Sequence, residues 1–386
     1  MNYYGLFLLL SIFLEVNSSQ EYVYPVGSTY YENQKNIFLF YQRSLNQCEL
    51  WLWEPITGRA IKVLSSFYVP AGLRVLPHDK GFSFIDHDKI RVKWWHKRSS
   101  QLISFTEPIY CLNSIEWLEN FTCYFSARKI VRFGIYSADM DGNTIELLHD
   151  DIVDYMYPCI IENAIFYIVR EHNQRYRIMH APLLKNSSHT IQAIAVDEAE
   201  ELCNFHDISC GFLHMKNKHE GFFLTFPFGD LKNDNITFTC YKLYKEDNFW
   251  HKSSLFSFSI PIKYCFGCID KYEYDECLHE SILPFLPRYT EQGIYFTNLD
   301  HKGRVAIYWY NEQSDQAAKL NIFRSFGDNN NQIYFAPYIL NDVVYCGCKV
   351  TSFDMLRDPS FGSVTCANEL DGVGKIFLSV SELLLY

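Results

Sequence analysis

Positive charge is scarce in this chain: 34 Lys and Arg stand against 45 Asp and Glu, a formal net charge of −11. The densest basic cluster, Lys89 to Arg98, alternates with core-type residues. That leaves no basic stripe to follow a phosphate backbone, so no nucleic-acid partner is expected. Long apolar runs are missing too. Beyond the first twenty residues no stretch has eighteen consecutive apolar residues, which excludes a membrane-spanning helix on length. Helical periodicity is almost absent, and the acidic Asp197–Leu202 is the best candidate for a short helix. Catalytic signatures are lacking as well. Gly81-Phe-Ser83 and Gly362-Ser363 begin a nucleophile elbow but fail at the next glycine. No H-E-x-x-H and no Gly-rich phosphate loop occurs. The sequence singles out no catalytic residue and implies no cofactor.

What is present points outside the cytoplasm. Residues 1–18 read as a signal peptide: Gly5 to Leu14 is an apolar run too short to span a bilayer, and Val16-Asn17-Ser18 follows as a cleavage region. Residues 19–386 then form one domain. Three glycosylation sequons fit a secreted chain, at Asn120, Asn186 and Asn235. So do the 13 cysteines, an odd number that leaves at least one thiol free or bonded to another chain. Close spacing predicts local staples between Cys111 and Cys123 and between Cys203 and Cys210. Cys265, Cys268 and Cys277, with His279, have zinc-ligand spacing but in a secreted chain read as disulfide cysteines. Cys346 and Cys348 share one strand face and must pair elsewhere, with Cys366 the neighbour for one of them.

The chain is also repetitive. Ile135 to Leu148 reads as strand, Asp-Gly turn, strand. Shifted back 84 positions it lands on Trp51 to Leu64, with Gly142 on Gly58, Ile145 on Ile61 and Leu148 on Leu64. Short aromatic runs mark the second strand of each unit: Ile37–Tyr41, Gly81–Asp86, Phe121–Ser126, Ala164–Val169, Gly221–Phe226, Gly293–Asn298 and Asp342–Gly347. The first three intervals, 44, 40 and 43 residues, match the period of a four-stranded propeller blade. The expected fold is all-β, a β-propeller of seven four-stranded blades, with six or eight as alternatives. An insertion at about 264–280 separates the fifth and sixth units.

Ile135-Tyr-Ser-Ala-Asp139-Met-Asp141-Gly142-Asn-Thr-Ile145-Glu-Leu-Leu148 resembles the core of a TolB-like propeller repeat. Gly293-Ile-Tyr-Phe-Thr-Asn-Leu-Asp300-His-Lys-Gly303 is similar to the same family, or to the YWTD propellers of lipoprotein receptors. The resemblance implies a propeller used for binding and carries over no catalytic residue.

Two constellations invite chemistry. Asp139, Asp141 and Asn143 are oxygen donors at alternate positions, but the glycine and closing glutamate of a calcium loop are misplaced, so a plain hairpin turn is expected. The insertion carries Tyr272 and Tyr274 among Glu273, Asp275 and Glu276. A disulfide there would fix the tyrosines in advance as anchors, and the carboxylates would favour a basic partner. The function expected is a secreted, non-catalytic propeller binding a protein or peptide. The alternative is a propeller enzyme acting on glycans through an acidic central pocket.

Overall fold

The computed structural model describes residues 21–32, 34–44, 47–55, 59–67, 75–78, 80–86, 89–95, 100–103, 105, 110–117, 122–129, 132–139, 141–171, 175–185, 191–206, 208–227, 235–261, 285–291, 293–319, 334–340, 343–350 and 364–366. The chain forms two compact units, Met1–Tyr68 with Leu320–Tyr386, and Val69–Lys319. Six antiparallel sheets, the blades of a β-propeller, are distributed between them.

Strands β1 (Glu21–Tyr31), β2 (Gln34–Ser44), β3 (Gln47–Trp53) and β4 (Ala60–Phe67) open the chain as blade 1. The second unit holds five blades. Blade 2 is β5 (Leu76–His78), β6 (Gly81–Asp86), β7 (Lys89–Trp94) and β8 (Ser100–Ile103). Blade 3 is β9 (Tyr110–Trp117), β10 (Cys123–Lys129), β11 (Arg132–Ala138) and β12 (Thr144–Leu148). Blade 4 comprises β13 (Asp154–Ile161), β14 (Ala164–Arg170), β15 (Tyr176–Lys185), β16 (Ile191–Ile194) and β17 (Glu200–Phe205). Blade 5 is β18 (Ile208–Asn217), β19 (Glu220–Pro227), β20 (Asn235–Glu246) and β21 (Phe249–Pro261). Blade 6 is β22 (Arg288–Thr290), β23 (Gly293–Leu299), β24 (Val305–Asn311) and β25 (Gln316–Lys319). The chain then returns to the first unit as β26 (Tyr334–Leu340), β27 (Val343–Val350) and β28 (Val364–Cys366).

The seventh unit expected from the sequence does not make its own sheet. Its second strand exists as β27, but Cys348 to Val350 pair with Glu21 to Val23 of β1, and β26, β27 and β28 join blade 1. Edge groups of β27 are hydrogen-bonded by β1 at one end and by β28 at the other. Among the described residues the count is therefore six.

Burial explains why second strands stand out in the sequence. Ile165 to Val169 of β14 and Gly293 to Thr297 of β23 are buried on both faces, because blades stack face to face, so they read as unbroken apolar runs. Outer strands are more open: β25 is mostly exposed, and β12 buries only Leu148. Between blades 3 and 4, Tyr124, Ile135 and Leu148 pack with Ile165, Tyr167 and Met179. Between blades 5 and 6, Phe256 meets Phe296 at 4.3 Å and Tyr310 at 4.9 Å.

The hairpin predicted at Asp141-Gly142 forms. Gly142 has φ +86, and its N–H donates to the Asp139 carbonyl. Such a φ favours glycine. The Asp139 carboxylate accepts from the backbone of Asp141 and Asn143 and from the Asn143 side chain, so its oxygens clamp a turn. The same turn recurs at Asp300 to Arg304, with Gly303 in the position of Gly142. The match to Trp51–Leu64 holds on the outer strand, where Leu147 and Val63 are bulged alike, but the inner strand is offset by one residue. Ile145 faces Ser137 while Ile61 faces Leu52, so the alignment needs one gap in the turn. Gly58 lies outside the described residues.

The short helix expected over Asp197–Leu202 is a single 3-10 turn at Val196–Glu198. Glu200 onward is strand instead, because β17 pairs with Tyr176 to His180 of β15.

Candidate functional site

Blade 5 ends in the longest hairpin among the described residues. Strands β20 and β21, of 12 and 13 residues, continue past the last β19 pair, Glu220 with Tyr244. Asp247 and Asn248 close the hairpin as a two-residue loop with φ +50 and +68. Positive φ at both positions is the type I′ geometry that matches strand twist. Beyond β19 the tip is only two strands wide. It holds Trp250 against Phe166 of blade 4, edge to face at 6.4 Å, and turns Phe249 outward. Phe249 is 71% exposed, the most exposed large apolar side chain among the described residues.

At the base of this tip lies an open groove of about 610 Å³, lined by Asn217, His219, Glu220, Lys242, Tyr244, Lys245 and Ser253. Cross-strand register places them: Tyr244 stands opposite Glu220 and His251, and Lys242 opposite Phe222 and Ser253. The floor is an ion network. Lys242 Nζ donates to Glu220 at 2.9 Å and to Glu312 of blade 6 at 2.6 Å, and Lys216 approaches Glu220 at 3.5 Å. Partial burial works against the ammonium of Lys242, yet Glu312 and Glu220 outweigh it and raise its pKa. Desolvation likewise opposes Glu220, but Lys242 and then Lys216 hold it below the usual carboxylate range. Both groups are thus charged at neutral pH, moved away from the range in which an acid–base catalyst exchanges protons.

Two buried carboxylates outside the groove are committed to structure. Asp154, at the start of β13, accepts from Arg170, Arg132 and the Phe133 N–H, joining blades 3 and 4. Asp300 accepts from Lys319 at 2.8 Å and from the Arg304 guanidinium at 2.9 Å. Lys319 foremost, with Arg304 and the Lys302 N–H, pulls the Asp300 carboxyl well below its ordinary value against desolvation. A carboxylate with a depressed folded-state pKa stabilises the fold above its unfolded value, about 3.9, and loses that contribution as pH falls toward the folded value. Thermal melts should therefore show an acid-side loss below about pH 4 that Asp300→Asn flattens. An unchanged acid limb in the variant would separate Asp300 from acid sensitivity.

The sequence-predicted residues divide. Tyr272, Tyr274, Glu273, Asp275, Glu276 and the cysteines Cys265, Cys268 and Cys277 lie outside the described residues, as do Asn120 and Asn186. Asn235 is half-buried as the first residue of β20, opposite Pro261.

The Cys111–Cys123 staple is corrected by register. Cys123 faces Trp117, six residues along β9 from Cys111. At about 3.3 Å per residue that is roughly 20 Å, against the 7 Å limit for bridged Cα atoms. Cys123, Cys203 and Cys240 are free thiols, so Cys203 is not bonded to Cys210. Burial pushes Cys123, Cys203 and Cys240 up to about 12, which makes them inert core residues. Cys346 and Cys348 do lie two apart on β27, where β28 sets Val364 opposite Cys346 and Cys366 opposite Val344.

Sequence reasoning missed the blade 5 tip. Its only local signal is Asp247-Asn248, a weaker hairpin marker than Asp-Gly.

No protein-family model matches the chain, and no curated protein matches its sequence. Among solved structures it is similar to a puromycin-hydrolyzing peptidase of Mycobacterium tuberculosis, with TM-score 0.56 and 8% identity over 85% of this chain and 49% of that one. A puromycin hydrolase gives TM-score 0.53 and 8% identity over 84% and 50%. TolB from Acinetobacter baumannii gives TM-score 0.42 and 12% identity over 81% and 67%. The chain spans about half the length of the two hydrolases. No helix among the described residues is long and apolar enough to cross a membrane. At such identities the likeness is one of architecture, and it agrees with the six sheets: the chain is a β-propeller.

Proposed function

We propose that this chain is a secreted, non-catalytic propeller that binds a protein or peptide partner, and that the end of blade 5 is a contact surface. The observation that carries this reading is Phe249, held outward on a rigid tip beside a groove whose ions are fixed. Burying such a ring against a partner is worth about 1.5–3 kcal/mol. The preset type I′ turn reduces the entropy lost in doing so. Affinity purification from the secretory fluid of the source organism should retain a partner that Phe249→Ala captures at least about tenfold less well, the equivalent of about 1.4 kcal/mol. The melting temperature should not move, because the ring supports nothing. The Tyr272–Tyr274 loop remains a second proposed contact, entered from Pro261 at the opposite end of β21 from Phe249. Equal capture by both the Phe249 and the Tyr272/Tyr274 alanine variants would remove these surfaces from the reading.

Secretion is part of the proposal. Mass spectrometry of the secreted protein without reductant should find disulfides among the ten cysteines other than Cys123, Cys203 and Cys240. Thirteen free thiols would place the chain in a reducing compartment.

The architecture shared with two hydrolases supports a second reading, an enzyme or the propeller part of one. Cleavage of peptide or glycan substrates by the purified chain would favour it over binding alone.

A further inference from the structure

We propose that the blade 5 groove is a saccharide site, taking a neutral hexopyranoside or a short oligosaccharide of such units. Its volume of about 610 Å³ lies within the range of small-molecule sites. An aromatic ring forms one wall. Tyr244 is braced by His251, which stacks on it at 5.5 Å with 26° between the ring planes. The other groups supply both kinds of partner between them: Lys242 and Lys245 donate, the Glu220 carboxylate accepts, and the Asn217 amide and Ser253 hydroxyl do both.

Charge narrows the ligand. Glu220 and Glu312 are already answered by Lys242 and Lys216, so an ion at this floor would compete with pairs that are made. A long apolar side chain would have to strip water from those ions without replacing its hydrogen bonds. A pyranose does neither. Its hydroxyls offer donors and acceptors to the fixed floor, while its C–H face packs on Tyr244. Tyr244 and Lys242 share β20 and Glu220 lies on the neighbouring β19, which fixes the spacing of these three within one sheet, while Glu312 reaches in from blade 6.

The inference stands apart from the protein-partner reading, since its ligand is a free sugar and its key residue is Tyr244 rather than Phe249. Calorimetric titration of the full chain with a panel of neutral methyl hexopyranosides and their disaccharides is the test. At least one should saturate the protein with Kd near about 1 mM. Tyr244→Ala should weaken it about tenfold, whereas Tyr244→Phe, which keeps the ring, and Ile152→Ser on an exposed loop elsewhere should bind as the parent does. Circular dichroism of each variant separates lost binding from lost fold. Failure of every panel member to saturate below about 10 mM, or equal binding by a folded Tyr244→Ala, would overturn the site. Either failure would leave capture of a protein partner through Phe249 untouched.

Discussion

Replacing Asp154 by alanine should destabilise the chain by about 3–5 kcal/mol, the range for removing one partner of a buried ion pair. The carboxylate is 1% exposed and receives three groups from two blades: the Arg170 guanidinium at 2.9 Å, Arg132 at 3.3 Å and the Phe133 N–H at 2.9 Å. Alanine would take the acceptor from that N–H and the carboxylate from two partly buried cations, leaving Arg170 its bond to Tyr176. Both guanidiniums keep some access to water, which puts the expected loss near the lower end of the range. Asp154→Asn retains an acceptor for Phe133 but loses the charge, so it should fall between the parent and the alanine variant. Urea denaturation followed by far-UV circular dichroism and by fluorescence would measure both. A loss below about 1 kcal/mol in Asp154→Ala would mean that the blade 3 to blade 4 junction does not depend on this clamp.

Gly293→Ala should cost about 3 kcal/mol, combining backbone strain with overpacking. Gly293 opens β23 with φ +143, and a Cβ there would lie 2.4 Å from the Tyr310 carbonyl oxygen and 2.6 Å from the Trp309 indole nitrogen. The carbonyl belongs to the neighbouring strand and cannot yield without breaking register. Gly303→Ala is the matched control. It also has positive φ, +68, but nothing lies within 4 Å of its Cβ, so only the left-handed conformation opposes it, about 1 kcal/mol. The two melting temperatures should differ in that order. Equal effects would show that φ alone, and not the approach of β24, requires the glycine.

These sites also show what the sequence could disclose. Gly81 and Gly293 open second strands, and Gly221 is the second residue of another; all three strands are visible as apolar runs, because both of their faces are buried. Edge strands lack that signal: β25 is Gln316-Ala-Ala-Lys319, mostly exposed, and its pairing with β24 is legible only from register. Six blades were among the expected counts, and the preference for seven has a physical reason. Local pattern recognises β27 as a second strand, but nothing local states that Glu21 to Val23, over three hundred residues away, will take its edge. The Cys111–Cys123 staple failed on similar grounds, since twelve residues of separation look short until β9 and β10 are known to run antiparallel past each other. Around the groove, Glu220 falls one residue before the expected Gly221–Phe226 run, and its meeting with Lys242 and with Glu312 of another blade is a product of strand pairing and stacking.

The most direct measurement of the binding surface is site-specific photo-cross-linking. A photoreactive residue placed at position 249, and for comparison at the exposed Ile152, would be irradiated in native secretory fluid and the products mapped by mass spectrometry. The account predicts one dominant partner cross-linked from position 249 and not from 152, with its peptide intact. Cross-links of equal yield and identity from both positions, or a partner recovered only as cleaved fragments, would contradict it.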